Sequence, residues 1–208
     1  MSDTPDESGD APDSRDAIMD ATYRALCEHG HADLTMQHIA DEAGKSTALL
    51  HYHFDTKEEL LAAFIDHLIT EFESTVAPDE NESATERLRE FLDLWVLEPE
   101  EDDRTALHLA LLELRSRGPF NETYREELAR SDEVLRRIVV EIIRDGIEQG
   151  VFRDVEPEGT ARLIVATLDG ARTRQITLDD PAYSRRVREQ LEDQFVERLL
   201  VGDDTDRR

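Results

Sequence analysis

Apolar and polar positions alternate along this chain with the period of a helix. Ile18, Ala21, Thr22 and Ala25 recur at i, i+3, i+4 and i+7, which gathers them on one face of an α-helix. That helix is predicted to open at a Ser14 cap and to end at Gly30. A second, short helix starts at Thr35, turns Ile39, Ala40 and Ala43 inward, and stops at Gly44. Ser46 is the cap expected of a third, running to about His53. Thr56-Lys57-Glu58-Glu59 reads as a capping box, opening a fourth whose apolar face is Leu60, Leu61, Phe64, Leu68 and Phe72.

The second half repeats the pattern on longer elements. Pro78 breaks the chain, Ser83-Ala84-Thr85-Glu86 is another capping box, and Leu88, Phe91, Leu92 and Trp95 follow at helical spacing. Further helices are predicted over 102–117, 121–149, 158–178 and 182–201, separated by Gly118-Pro119, Gly150, Pro157 and Asp180-Pro181. Alternating Val/Ile/Thr runs with Asn-Gly turns are missing, so the expected fold is all-α. Residues 1–13, with five acids and no base, read as a solvated tail, and 202–208 as a second.

Composition narrows the function classes. The 208 residues hold 24 basic and 50 acidic side chains, a formal net charge of −26, which excludes a polybasic nucleic-acid or anionic-membrane surface over the chain as a whole. Lys45 and Lys57 are the two lysines; every other basic residue is Arg. Carboxylates hold water and cations, and high salt screens their mutual repulsion, so this balance is the one expected of a protein working in the molar salt of a halophile. The longest unbroken apolar run, Leu60 to Ile65, is far short of the roughly 20 residues that span a bilayer. With no basic, apolar leader and a single cysteine, Cys27, the expected compartment is the cytoplasm. Asn81-Glu82-Ser83 and Asn121-Glu122-Thr123 fit the glycosylation pattern but read better as helix caps.

Three short helices with a glycine turn between the second and third fit a helix-turn-helix. Thr35-Met36-Gln37-His38-Ile39-Ala40-Asp41-Glu42-Ala43-Gly44-Lys45-Ser46, followed by Leu50, His53-Phe54 and Thr56-Lys57-Glu58-Glu59-Leu60-Leu61, resembles the TetR family of transcriptional regulators over about residues 15–61. Two positions depart from the family pattern: Lys45 stands where Val is usual, and His51 where Tyr is. The resemblance implies a DNA-binding domain over 14–56 and a ligand-binding and dimerisation domain over 57–201. It marks Gln37, Thr47, Ala48, Leu49 and Tyr52 as base-facing, with Thr35, Ser46, His51, His53 and Lys57 on the DNA backbone. Lys45 joins them because both lysines fall within this one segment. Tyr52 and Phe54 lie two positions apart and cannot share a helical face, so Tyr52 is expected outside and Phe54 in the core. Thr35, Ser46 and Thr56 are also the residues any helix favours as caps.

Beyond Leu61 the resemblance extends to architecture. It implies a homodimer built on the last two long helices, with Ala161, Leu163, Ile164, Leu168, Ala171, Leu191, Phe195 and Leu199 as its seam. It also implies a small-molecule effector among the preceding helices, for which Phe91, Trp95, His108, Leu112, Phe120 and Tyr124 are the candidates. The stretch from Glu113 through Pro119-Phe120 to Asp169-Gly170 is similar to the C-terminal domain of choline-responsive regulators of this family. The partners expected are therefore double-stranded DNA, an effector and a second copy of the chain, with no membrane, cofactor or metal. The enzyme alternative is weak. Glu28-x-x-His31 straddles the glycine that ends a helix, His51-x-His53 points opposite ways, and no phosphate loop or nucleophile motif is present. An all-α sensor or interaction module without DNA binding remains the second reading.

Overall fold

The computed structural model describes residues 11–77, 82–98 and 102–201. Ten α-helices are found in these residues: α1 (Ala11–Asp33), α2 (Met36–Ala43), α3 (Thr47–His53), α4 (Lys57–Thr75), α5 (Ala84–Asp93), α6 (Asp102–Arg117), α7 (Glu122–Glu148), α8 (Pro157–Thr177), α9 (Tyr183–Leu191) and α10 (Glu197–Leu199). No strand occurs among the described residues, and the one bridge joins Phe152 to Leu200. The all-α expectation holds.

The predicted caps open α2, α3, α4, α5 and α7. Thr35 accepts from the N–H of His38 at 3.2 Å and Ser46 from that of Leu49 at 3.3 Å, opening α2 and α3. Gly44 closes α2 at φ +61°, a left-handed conformation that costs a β-carbon-bearing residue about 1–2 kcal/mol. Around α5 the capping box is complete, with Ser83 accepting from Glu86 N–H and Glu86 accepting from Ser83 N–H. At α4 it is displaced: Thr56 accepts from Glu59 N–H, but the Glu59 carboxylate takes the N–H of Asp55. Asn121 caps α7 as expected, accepting from Tyr124 N–H at 3.1 Å, whereas Asn81 lies outside the described residues.

Two ends differ from expectation. The first helix begins at Ala11, so Ser14 lies inside it and residues 11–13 are not tail; Pro12 falls in the first turn, where a missing N–H costs nothing. Gly30 does interrupt that helix, at φ 67° and ψ 170°, but a further turn follows to Asp33. The last predicted helix is three pieces, because a π turn at Glu192–Val196 separates α9 from α10. The remainder of both expected tails, 1–10 and 202–208, lies outside the described residues.

The chain divides into two compact units, and the division is not at residue 57. One unit comprises residues 1–68 and 103–128, the other 69–102 and 129–208. A capping box marks where a helix starts, which is a local signal; the core decides which helices belong together. In the first unit Ile18, Leu26, Ile39, Leu50, Leu60 and Phe64 pack with Leu107, Ala110 and Leu114 of α6 and Tyr124 of α7. In the second, Leu88, Phe91 and Trp95 pack with Val139, Ile142 and Ile143 of α7, with Ile164 and Leu168 of α8, and with Val196 and Leu199.

That second core takes up five of the eight residues of the predicted dimer seam. Ala161, Ile164, Leu168, Ala171 and Leu199 are buried within the chain itself, and Leu191 and Phe195 pack half-buried against the same cluster. The apolar face chosen from periodicity is the face a lone chain already needs. Of the eight residues Leu163 stands exposed, on the opposite side of α8.

Candidate nucleic-acid interface and effector cavity

In the first unit α2 and α3 are joined by the turn Gly44-Lys45-Ser46, whose three residues are all exposed. Leu50 drives α3 onto the core and Phe54 follows it at 7% exposure. The opposite side is left bare: Ala48 and His51 are exposed, and Tyr52 is 82% exposed with its ring edge-on to His53, centroids 5.2 Å apart. Large exposed aromatics are unusual, and this one sits on a seven-residue helix with a capped N-terminus. Leu49 and Thr47 are half-buried.

Gln37 and Thr47 meet across the turn. The Thr47 hydroxyl donates to the Gln37 amide oxygen at 3.2 Å, while the Gln37 amide nitrogen donates to Asp41 at 2.7 Å. Arg24 of α1 ties α2 down through Glu42 at 3.0 Å. The pair Gln37–Thr47 therefore carries hydrogen-bonding groups on a fixed frame.

Thr35 and Ser46 are placed on the surface as predicted, with their hydroxyl oxygens engaged as caps. Lys57 differs from expectation. Its ammonium is half-buried and donates to the carbonyls of Leu34 at 2.8 Å and His31 at 3.4 Å, the end of α1. Unsatisfied carbonyls at a helix end attract a cation, a signal that sequence reading assigned to phosphate instead. Beside it, Glu113 of α6 accepts from the backbone N–H of His31 at 3.0 Å. Burial, and then the charge of Lys57, push the His31 imidazole below its ordinary range. Tyr124 packs edge-on to His31, and burial raises its phenol to about 12.

The six effector candidates do not fall in one unit. Phe91 and Trp95 belong to the core of the second, whereas His108, Leu112, Phe120 and Tyr124 belong to the first. Phe120, in a 3-10 turn after α6, is 89% exposed. Helical spacing groups residues along one element; it cannot say which elements converge.

The second unit holds a cavity of about 250 Å³ that sequence reading missed apart from Phe91. Its wall is Thr75 at the end of α4 with Val76 and Ala77 after it, Phe91 and Leu94, Ile142 of α7, and four charged residues, Glu82, Arg87, Glu90 and Asp93. Arg87 is 9% exposed and paired with Asp145 at 2.6 Å, yet its Nε–H is buried without an acceptor. Asp93 is paired with Arg188, also at 2.6 Å. With three carboxylates to one guanidinium, the wall is net acidic. No cluster of His, Cys, Asp and Glu among the described residues could hold a metal ion.

Residues 18–64 match the family described as bacterial regulatory proteins, tetR family, and residues 84–201 match the C-terminal domain of BetI-type transcriptional repressors. The chain belongs to the TetR family. Among solved TetR structures, a transcription regulator of Haloarcula marismortui is 40% identical, with a TM-score of 0.81 over 92% of this chain and 100% of that one. A transcriptional regulator of Saccharomonospora viridis in complex with choline is 25% identical, with a TM-score of 0.75 over 93% of this chain and 100% of that one. The regulator BetI of Agrobacterium fabrum is 43% identical over 61 residues, which is 29% of this chain and 30% of the relative. The match to the curated relatives thus spans about a third of their length. As a TetR-type chain, this one carries its helix-turn-helix in α2 and α3. No helix among the described residues is long and apolar enough to cross a membrane.

Proposed function

We propose that this protein is a dimeric transcriptional repressor that binds a palindromic operator and releases it when a small organic cation fills the second unit. The observation that carries the reading is α3: a short helix, capped at Ser46, with Ala48, His51 and Tyr52 outward and Leu50 inward. Such a helix enters the major groove with its first turns against the bases. Gln37, Thr47, Ala48 and Tyr52 read the bases, while Thr35, Lys45, Ser46, His51 and His53 meet phosphates. Leu49, half-buried, packs against a thymine methyl through its outer edge. Lys57 acts indirectly, by fixing the end of α1.

Two copies pair through the outward side of α8, where Leu163 and Ala166 are exposed. The two recognition helices then address half-sites about 34–36 Å apart. The acidic cavity wall and the unpaired Arg87 donor together suit a cation that also bears a hydrogen-bond-accepting oxygen. Choline, found in the Saccharomonospora viridis neighbour, has both groups. Operator DNA from upstream of the protein's own gene, run in a gel shift, is expected to give a dimer complex that choline dissolves. A complex indifferent to every organic cation refutes the effector assignment, and absence of any specific complex favours a sensor without DNA binding.

A further inference from the structure

Trp95 is the chain's single tryptophan and is buried to 6% exposure. The guanidinium carbon of Arg172, from α8, lies 4.3 Å from the centre of its ring, well inside the roughly 6 Å over which a cation is held by an aromatic face. The same guanidinium donates to the Leu94 carbonyl at 3.2 Å. Trp95 is not isolated from the cavity. Its ring centroid is 6.2 Å from that of Phe91, which lines the cavity, and Phe91 in turn meets Phe72 edge-on at 5.9 Å. A row of three aromatic rings thus reaches the acidic cavity at Phe91, its middle member, and Trp95 at one end already carries a cation belonging to the protein.

We propose that Arg172 is a stand-in for the effector: its guanidinium occupies the Trp95 face that an organic cation takes, and effector binding exchanges one cation for the other. This rests on the reading that the effector is an organic cation. Exchange of like for like leaves the charge around the ring unchanged, so neither a bare aromatic face nor an unbalanced carboxylate is created at any stage. A neutral or anionic ligand offers no such replacement. Arg172 therefore sets both the affinity and the charge selectivity of the site, by competing from within.

The exchange has a mechanical consequence. The segment after α5 is held by Arg172 on the Leu94 carbonyl, by Gln175 donating to the Leu97 carbonyl at 2.8 Å, by Ser184 accepting from the Leu97 N–H at 3.3 Å, and by Arg185 paired with Glu98. Departure of Arg172 removes the first and leaves the others. Effector binding is then felt in the backbone at Leu94, while Leu97 stays fixed.

The test is a titration of choline, and separately of tetramethylammonium, into the full chain and into Arg172→Gln, followed by Trp95 emission. Loss of an internal competitor held by a cation–π contact raises the variant's affinity for both probes by about tenfold. Tetramethylammonium has no oxygen, so its gain isolates the aromatic face from the Arg87 donor. A purely structural Arg172 predicts the opposite direction, because a loosened segment binds more weakly. Equal or weaker binding by the variant overturns the exchange and leaves the effector reading standing; failure of both proteins to bind choline, with an operator complex that ignores it, overturns both. Should Arg172→Gln not fold, Arg172→Met keeps the apolar stem and serves the same comparison.

Discussion

Tyr52 and Phe54 stand two positions apart, and the chain treats them oppositely: one ring is bare to solvent, the other closes the core under α3. Replacing Tyr52 with Ala is expected to cost about 1–3 kcal/mol of operator affinity in a gel shift while leaving the melting temperature within a degree or two. Lys57→Ala should do more harm to folding, because it strips the cation from the carbonyls of His31 and Leu34; a lowered melting temperature without DNA present checks this. His31 adds a pH dependence whose sign follows from its environment. Its folded value is lowered, so the unfolded chain takes up the proton first; stability is full above about 6.5 and falls as pH drops below that. Denaturant midpoints between pH 7.5 and 5 measure it, and a His31→Gln variant should flatten the slope. Tyr52, Phe54 and the caps were legible because each depends on a local pattern. The positions of Lys57 and Arg172 were not, since each answers to a carbonyl or a ring remote in sequence.

At the scale of elements, the starts of α2, α3, α4, α5 and α7 followed from their capping residues and the end of α2 from Gly44. Gly44→Ala forces a side chain into φ +61° and is expected to destabilise the first unit by about 1–2 kcal/mol, read as a shift in the urea midpoint. Gly146 is a different case: a β-carbon there would fall 2.0 Å from the Phe152 ring, so Gly146→Ala must displace an aromatic side chain of the second core. Its cost should fall near the upper end of overpacking, about 3 kcal/mol, by the same measurement. The π turn in the last helix had no counterpart in the hydrophobic pattern, because Leu191, Phe195 and Leu199 keep an i, i+4, i+8 spacing through it. Periodicity marks which face is apolar; it does not say whether that face meets its own chain or another. This is why five of the eight residues predicted for the partner seam lie in the chain's own core.

For the whole molecule the governing quantity is its charge of −26. Residues 35–57 carry Lys45 and Lys57 against Asp41, Glu42 and Asp55, so little positive charge is brought to the DNA backbone. An ordinary regulator gains a slope of about −0.9 in log affinity against log salt for each phosphate it neutralises. Here the slope should be far shallower, with operator binding persisting above about 1 M potassium chloride; titrations across salt check it, and a steep loss between about 0.1 and 0.5 M would contradict it. The match to a Haloarcula marismortui regulator across the whole of that chain agrees with this reading of the composition.

The first unit borrows α6 and the opening of α7 to finish its core, and that bears on how such a regulator can be recombined. A DNA-reading module bounded at residue 56 would look like a portable cassette, ready to be grafted onto another sensor. Cut there, it would leave behind Leu60, Leu61 and Phe64 of α4 as well as Leu107, Ala110, Leu114 and Tyr124, all part of the core on which α1, α2 and α3 pack. A viable graft has to take two separate stretches of the gene, 1–68 and 103–128, or keep the recipient's own matching pair. Exchange of operator specificity between relatives is accordingly easier by point changes on the exposed side of α3 than by swapping the domain that displays it.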